Sequence, residues 1–366
     1  MKARPADTPF LLAVCALLTF GLLIFTSAAL GLLARDGASF TSVAVNQLLL
    51  GLLLGGIAMV VISRIDYKLI RPYTPYFFGF AVLLTLLTFV PHIGLELKGA
   101  HRWIALGPIS FQPEEVLKFA AILFLAAVYS GKMRATNTWR GGVLPLVLIG
   151  GSSAAILLAQ PNTDGAMVIG AVAVAMLFAA GGKLRHMLLL VLIAAAALGV
   201  AAYERPYLME RFVTFFYQGA NDPKGAGWQV QQSLIAVGSG GVTGRGFGQS
   251  IEKFSNLPEP IGDSVFAVAA EEFGFVGSVA LIALFATFAV LGLRIAARAP
   301  DPFGGLIVVG LVALIVVQSF NNIASVLGLI PLSGLPLIFV SHGGTALAIS
   351  LAEVGVILSV SRRMKS

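Results

Sequence analysis

Tyr203 to Gly262, YERPYLMERFVTFFYQGANDPKGAGWQVQQSLIAVGSGGVTGRGFGQSIEKFSNLPEPIG, is the one long polar interruption in a chain that otherwise reads as membrane. It is glycine-rich, carries charges of both signs, and ends at an acidic residue, Asp263, on the lip of the next apolar run. Every other gap between apolar runs is short. Of the 366 residues, 58% are hydrophobic and 11% charged, and the mean hydropathy is +0.92. A soluble domain carries about 25% charged residues, so this is no soluble globular protein. A bilayer core of about 30 Å takes about 20 apolar residues of helix per crossing. Backbone polar groups must be satisfied internally there, which leaves helices or a closed barrel. The apolar runs do not alternate, so they are helices. The expected fold is an all-α polytopic membrane protein with about ten transmembrane helices, a single domain over 1–366. The spans fall near 9–33, 43–63, 74–91, 113–130, 142–160, 164–181, 186–203, 263–293, 303–327 and 337–361. One large loop, 204–262, separates spans seven and eight.

The formal net charge of +7 would suggest nucleic acid only if it clustered on a soluble face. Instead the basic residues sit in short loops between spans, where they report orientation. With the N-terminus inside, the inner segments hold groups such as Lys2 and Arg4, Lys132, Arg134 and Arg140, and Arg362, Arg363 and Lys365. The short outer loops hold only Arg35, Lys98 and Arg102. Both termini are therefore expected in the cytoplasm and the long loop outside. The uncharged run from Pro9 to Leu33 is too long for a typical signal-peptide core and is read as a retained first span. A lone cysteine, Cys15, allows neither an internal disulfide nor a Cys-based metal site. His92, His101, His186 and His342 lack metal-ligand spacing. Gly51 and Gly55 form a GxxxG pair suited to helix packing.

Three polar clusters stand out, because ionisable groups at membrane depth are costly. The first is Gly99 to Lys118, GAHRWIALGPISFQPEEVLK. Pro113 suits a first helical turn, which sets Glu115 and Lys118 at i, i+3 and Glu114 and Lys118 at i, i+4. The plainer account is an amphipathic stretch in the outer headgroup layer with a structural ion pair. The second is Gly225 to Ser250, a short amphipathic helix and then a glycine-rich turn region. Such glycines can turn N–H groups toward an anion, although a flexible loop is the commoner meaning. The third is Leu257 to Gly274, LPEPIGDSVFAVAAEEFG. Asp263 stands at the expected helix start, where a lone Asp is ordinarily an N-cap. Glu271 and Glu272 lie about 12–14 Å further along the helix, well into the membrane. Glu271 is the better placed to share a cavity with Asp263, and Glu272 to meet a polar partner on another helix. Gln318, Asn321 and Asn322 can join helices by hydrogen bonds, and Glu353 needs a partner.

These motifs resemble the SEDS family (shape, elongation, division and sporulation), the FtsW/RodA type of membrane peptidoglycan polymerase, over nearly the whole chain. The family's GxRRWI…SFQPSE…K pattern resembles Gly99 to Lys118, and its GWQxxQSLxAxGSGG…GxGxGxS stretch resembles Gly227 to Ser250. Its PExxTDFIFAxxxEExG signature resembles Pro258 to Gly274, and its GxPLPFVSYGGSS resembles Gly334 to Ala346. The resemblance implies transfer of a growing glycan from its undecaprenyl pyrophosphate to the 4-hydroxyl of the next lipid II. It implies Asp263 as the catalytic carboxylate and Arg102, Glu115 and Lys118 as substrate-binding residues, and Arg245, Glu271 and Ser341 complete the expected substrate-binding set. A carboxylate suits a base for the acceptor proton, and cations or a divalent metal, Mg or Mn, suit the pyrophosphate leaving group. Asp263 as base and Asp263 as metal ligand both stay open. Implied partners are lipid II, a class B penicillin-binding protein transpeptidase, other divisome or elongasome membrane proteins, and membrane lipids, with no nucleic acid. The implied location is the bacterial cytoplasmic membrane. The glycine stretch and the Trp-Gln run look nearer to the division type, FtsW, than to the elongation type, RodA. Departures from the pattern are Asn46, Asn162 with Asp164 two residues on, Gly262, and His342. A lipid II flippase is the alternative, since Glu271, Glu272 and Glu353 would suit a polar path. Against it, no inverted repeat is evident and the polar groups gather on the outer side. A third reading is a scaffold that only recruits the transpeptidase.

Overall fold

The computed structural model describes residues 5–35, 43–97, 100–106, 109–204, 206–217 and 226–364. Lys2, Arg4, Lys98 and Lys365, which entered the charge reading, lie outside the described residues. The chain runs α1 (Thr8–Arg35), α2 (Val43–Arg64), α3 (Tyr67–Phe89), β1 (Gly94–Leu97), β2 (Ala100–Leu106), β3 (Ile109–Phe111), α4 (Pro113–Gly131), α5 (Trp139–Ala159), α6 (Thr163–Ala179) and α7 (Leu184–Glu204). Helices α8 (Pro206–Tyr217) and α9 (Ala226–Ser239) lie in the long loop. Then come α10 (Val265–Ala297), α11 (Pro302–Val326) and α12 (Gly344–Ser361).

Eight of these, α1, α2, α3, α5, α7, α10, α11 and α12, are long and apolar enough to cross a bilayer. Helices also occupy the other two expected positions. Helix α6 has only 17 residues. Helix α4 carries Glu114, Glu115 and Lys118 in its first turns, and all three are buried inside the protein. Helix α11 is the most central of the long helices after α12, and it packs against α4, α6 and α10. The GxxxG pair of α2 lies against α12: a Cβ on Gly51 would stand 2.9 Å from Leu347 and one on Gly55 2.7 Å from Ala348. The small residues thus let two backbones approach.

Three elements differ from the sequence reading. The stretch before α4 is a three-stranded antiparallel sheet, in order β1-β2-β3, with Leu95 opposite Trp103 and Ile104 opposite Phe111. Pairing these short strands satisfies backbone groups that an isolated amphipathic stretch would leave to water. The last helix begins at Gly344 rather than near 337, because Leu337 to Gly343 folds as turns that grip the start of α10. Helix α10 is broken at Gly274, whose φ of 64° is open to glycine without penalty. At 1.5 Å per residue, the part after the break, 275–297, spans about 34 Å and is long enough to cross alone. Glu271 and Glu272 lie in the segment before the break.

Candidate functional site

The site is built around the two residues ahead of α10. Ser264, not Asp263, occupies the N-cap position of that helix. Three successive carbonyls leading into it are each held by a donor. The His342 N–H donates to Ile261 O at 2.7 Å, Ser341 Oγ to Gly262 O at 2.8 Å, and Asn322 Nδ2 to Asp263 O at 2.9 Å. From the loop side, Gln229 Nε2 of α9 donates to Ser264 Oγ at 3.1 Å. The backbone of Asp263 is thus fixed from α11, from the segment before α12, and through Ser264 from the loop. Its side chain is half-buried, and a Cβ placed on Gly334 would stand 3.7 Å from its Oδ2.

Gly334 has a second carboxylate beside it. Asp164 Oδ2, in the first turn of α6, accepts the Gly334 N–H at 3.2 Å and the Arg211 guanidinium of α8 at 3.0 Å. Arg211 in turn lines a cavity of ≈ 180 Å³ between α8, α9 and the segment after α11, together with Thr214, Phe215, Val230, Gln231 and Leu332. The loop cavity and Asp263 therefore share a wall through Arg211, Asp164 and Gly334. Asp164 was visible in the sequence only as a displaced acid. Arg211 carried no signal there, being one of several loop cations.

The other expected site residues are placed as follows. Lys118 Nζ is 0% exposed and donates to Glu115 Oε1 and to Gln318 Oε1 of α11, both at 2.8 Å, with Glu114 Oε1 at 3.7 Å. This triad joins α4 to α11 and is sealed from solvent in this conformation. Asn162 caps α6 by accepting the Gly165 N–H at 3.0 Å and donates to Glu114. Arg102, from β2, donates to the carbonyls of Gln160 and Pro161 at the end of α5, where a cation meets the negative end of the helix dipole. Arg102 on the Gln160–Pro161 carbonyls and the series Asn162, Glu114 and Lys118 thus line the α4–α6 side, with Asn162 two residues from Asp164.

Glu271 does not turn toward Asp263. Its carboxylate accepts from Ser250 Oγ at 2.5 Å and from the N–H groups of Ile251 and Glu252 at 3.0 and 3.3 Å, with the Arg245 guanidinium at 3.4 Å. Its hydrogen bonds hold the glycine-rich turn. Glu272 meets a second helix, as its position on α10 suggested: it accepts from Ser27 Oγ of α1 and from the wholly buried Lys253 Nζ, both at 2.6 Å. Lys253, unremarked in the sequence, is the partner that makes this buried acid tolerable. The turn is clamped to the helix break by backbone bonds as well, from Arg245 N to Glu271 O at 3.0 Å and from Phe275 N to Gly241 O at 2.9 Å.

Among the described residues, no three His, Cys, Asp or Glu side chains are grouped as ligands of one metal. The donors ahead of α10 are carboxylate oxygens. They suit Mg²⁺ or Mn²⁺ where water and substrate phosphates complete the shell.

The comparisons with known proteins agree with this architecture. The family model FtsW/RodA/SpoVE, described as cell cycle protein, matches residues 8–366. Stage V sporulation protein E of Bacillus subtilis (strain 168) is 36% identical over 362 residues, covering 99% of this chain and 98% of that protein. Probable peptidoglycan glycosyltransferase FtsW of Geobacter sp. (strain M18) is 37% identical over 363 residues, covering 98% and 97%. Among solved structures, a chain from "Structural coordination of polymerization and crosslinking by a peptidoglycan synthase complex" superposes with a TM-score of 0.79 at 28% identity, covering 98% of both chains. The rod shape determining protein RodA of Thermus thermophilus superposes at 0.69 with 26% identity, covering 99% of this chain and 98% of that one.

Proposed function

The chain belongs to the FtsW/RodA/SpoVE family of cell cycle proteins, and on that premise we propose how it works as a peptidoglycan glycosyltransferase. Lipid II is the acceptor, and the growing strand on undecaprenyl pyrophosphate is the donor. The 4-hydroxyl oxygen of lipid II attacks the anomeric carbon of the donor. Its proton passes to a base, the new glycosidic bond forms, and the bond to pyrophosphate breaks. Asp263 is the reacting carboxylate, either as that base or as the ligand of a divalent cation that takes up charge on the leaving group. The observation that carries this reading is the three-point hold on the carbonyls of 261, 262 and 263. It presents one half-buried carboxylate on a fixed backbone, as preorganised catalysis requires.

The remaining assignments rest on the same frame. The chain crosses the cytoplasmic membrane ten times, with both termini in the cytoplasm and 204–262 outside. Arg211 and Arg245 are the cations nearest the loop side, while Glu115, Lys118, Arg102 and Ser341 position the site's walls. A class B transpeptidase is the membrane partner, in keeping with the synthase complex that the fold matches. Septal synthesis is the favoured setting, supported by the FtsW relatives, with RodA-type elongation as the alternative.

The test is polymer formation by the purified chain with its transpeptidase and lipid II. Glycan polymer is expected. Lipid II crossing vesicles with no polymer made would replace this reading with a flippase.

A further inference from the structure

The opposite end of the molecule carries a second site. The Asp7 N–H donates to Ser361 Oγ at 3.2 Å, so the start of α1 and the end of α12 lie on one face. There, between the start of α1 and the end of α10, a cavity of ≈ 130 Å³ is lined by Pro9, Leu291, Ile295 and Met364, with Asp7, Arg294 and Arg298 as its charged groups. Below it the helices close up. The Phe10 and Phe288 rings meet at a tilt with centroids 5.2 Å apart, and a Cβ on Gly292 would stand 2.5 Å from Val312. The result is an apolar cup with a charged rim.

The rim charge is unbalanced. Arg294 in the last turn of α10 and Arg298 at its C-cap are four residues apart, both exposed, and neither has an ion pair among the described residues. Like charges at that spacing repel. The one carboxylate of the cup, Asp7, is engaged in capping α1 through the Phe10 N–H at 3.0 Å. Beside Met364, Arg362 has a buried Nε without a hydrogen-bond partner. Two other cations near this end are matched: Lys68 faces Asp301 at 3.6 Å and Arg363 faces Asp66 at 3.2 Å.

We propose that this cup binds the phosphate group of an anionic phospholipid, with Arg294 and Arg298 on the phosphate oxygens and the glycerol end against Leu291 and Ile295. Two guanidiniums suit a phosphate by paired, charge-assisted hydrogen bonds. Basic pockets between membrane helices bind lipid headgroups in this way. The apolar walls favour a lipid over free phosphate, which shares the same anionic group. The inference does not depend on the glycosyltransferase reading.

The experiment measures phosphatidylglycerol and phosphatidylcholine retained by the full-length protein, by native mass spectrometry after delipidation and titration. One bound phosphatidylglycerol is expected, not displaced by millimolar inorganic phosphate, with phosphatidylcholine weaker. The double variant Arg294→Gln with Arg298→Gln should weaken phosphatidylglycerol by at least about tenfold. The same charge removed elsewhere, Arg134→Gln with Arg140→Gln, should leave it unchanged. Equal loss in both double variants would reduce the effect to bulk surface charge and overturn the site. So would unchanged binding in the first variant. Displacement by inorganic phosphate at equal concentration would make it a free-phosphate site instead of a lipid site.

Discussion

At the scale of single residues, the account turns on how each charged residue is held. Asp263 is held by its main chain while its carboxylate stays half-buried. Lys118 is held by its side chain, with the ammonium on Glu115, Glu114 and Gln318. Replacing Lys118 by Met strands two buried carboxylates, so it should destabilise the protein by about 3–5 kcal/mol. Denaturation of the purified protein in detergent checks this, and a near-neutral Lys118→Met would show that the triad does not hold α4 to α11. The spacing of Glu114, Glu115 and Lys118 was legible in the sequence because i, i+3 and i, i+4 geometry is local. The hold on Asp263 was not, since Asn322 lies 59 residues away and Ser341 is 79 residues from Gly262. No local pattern connects such positions.

At the scale of elements, the break in α10 is where the glycine turn docks. Gly274 at φ 64° packs a bare backbone against Gly244, itself at φ 82°. A Cβ on Gly274 would collide with Gly244 N and Val242 O. Gly274→Ala should therefore separate the glycine turn from α10 and cost about 1–3 kcal/mol. Faster proteolysis within 240–253 would report it, and unchanged protection would refute the clamp. A second element-scale device caps α11. Asp301 accepts from Gly304 N at 3.0 Å and from the Tyr67 hydroxyl, with Lys68 at 3.6 Å. Partial burial pushes its carboxyl up, but the Tyr67 hydroxyl, the Gly304 N–H and Lys68 together hold it below the ordinary range. A depressed folded value means stability that is full above the unfolded value of about 3.9 and is lost as pH falls through the folded one. Asp301→Ala should thus be less stable than wild type by about 1 kcal/mol at pH 7, with the gap narrowing as the pH falls below about 3.9. A gap that stays constant as the pH falls further would contradict the assignment. The helix itself was plain from the apolar run over 303–327. The sheet ahead of α4 was missed because its short strands gain meaning only once paired, and the late start of α12 because 337–343 is as apolar as a span.

At the scale of the whole molecule, hydropathy gave the helical class, and the long polar stretch marked where we propose the site lies. Its described residues form a wall: α8 and α9 frame a cavity, Glu271 and Glu272 anchor the glycine turn, and Gln229 reaches back to the residue after Asp263. The stretch itself was legible from its length and from the acid at its end, but these contacts were not, because glycine content alone suggests mobility. The family model and the matched folds agree with that whole-chain reading. The most direct test of the central claim is polymer yield from lipid II by the Asp263→Asn variant, purified with the transpeptidase and shown to be folded. The account predicts a fall of about 10²-fold or more, the scale of losing a general base or a charged ligand. Polymer at the wild-type rate from folded Asp263→Asn would contradict it.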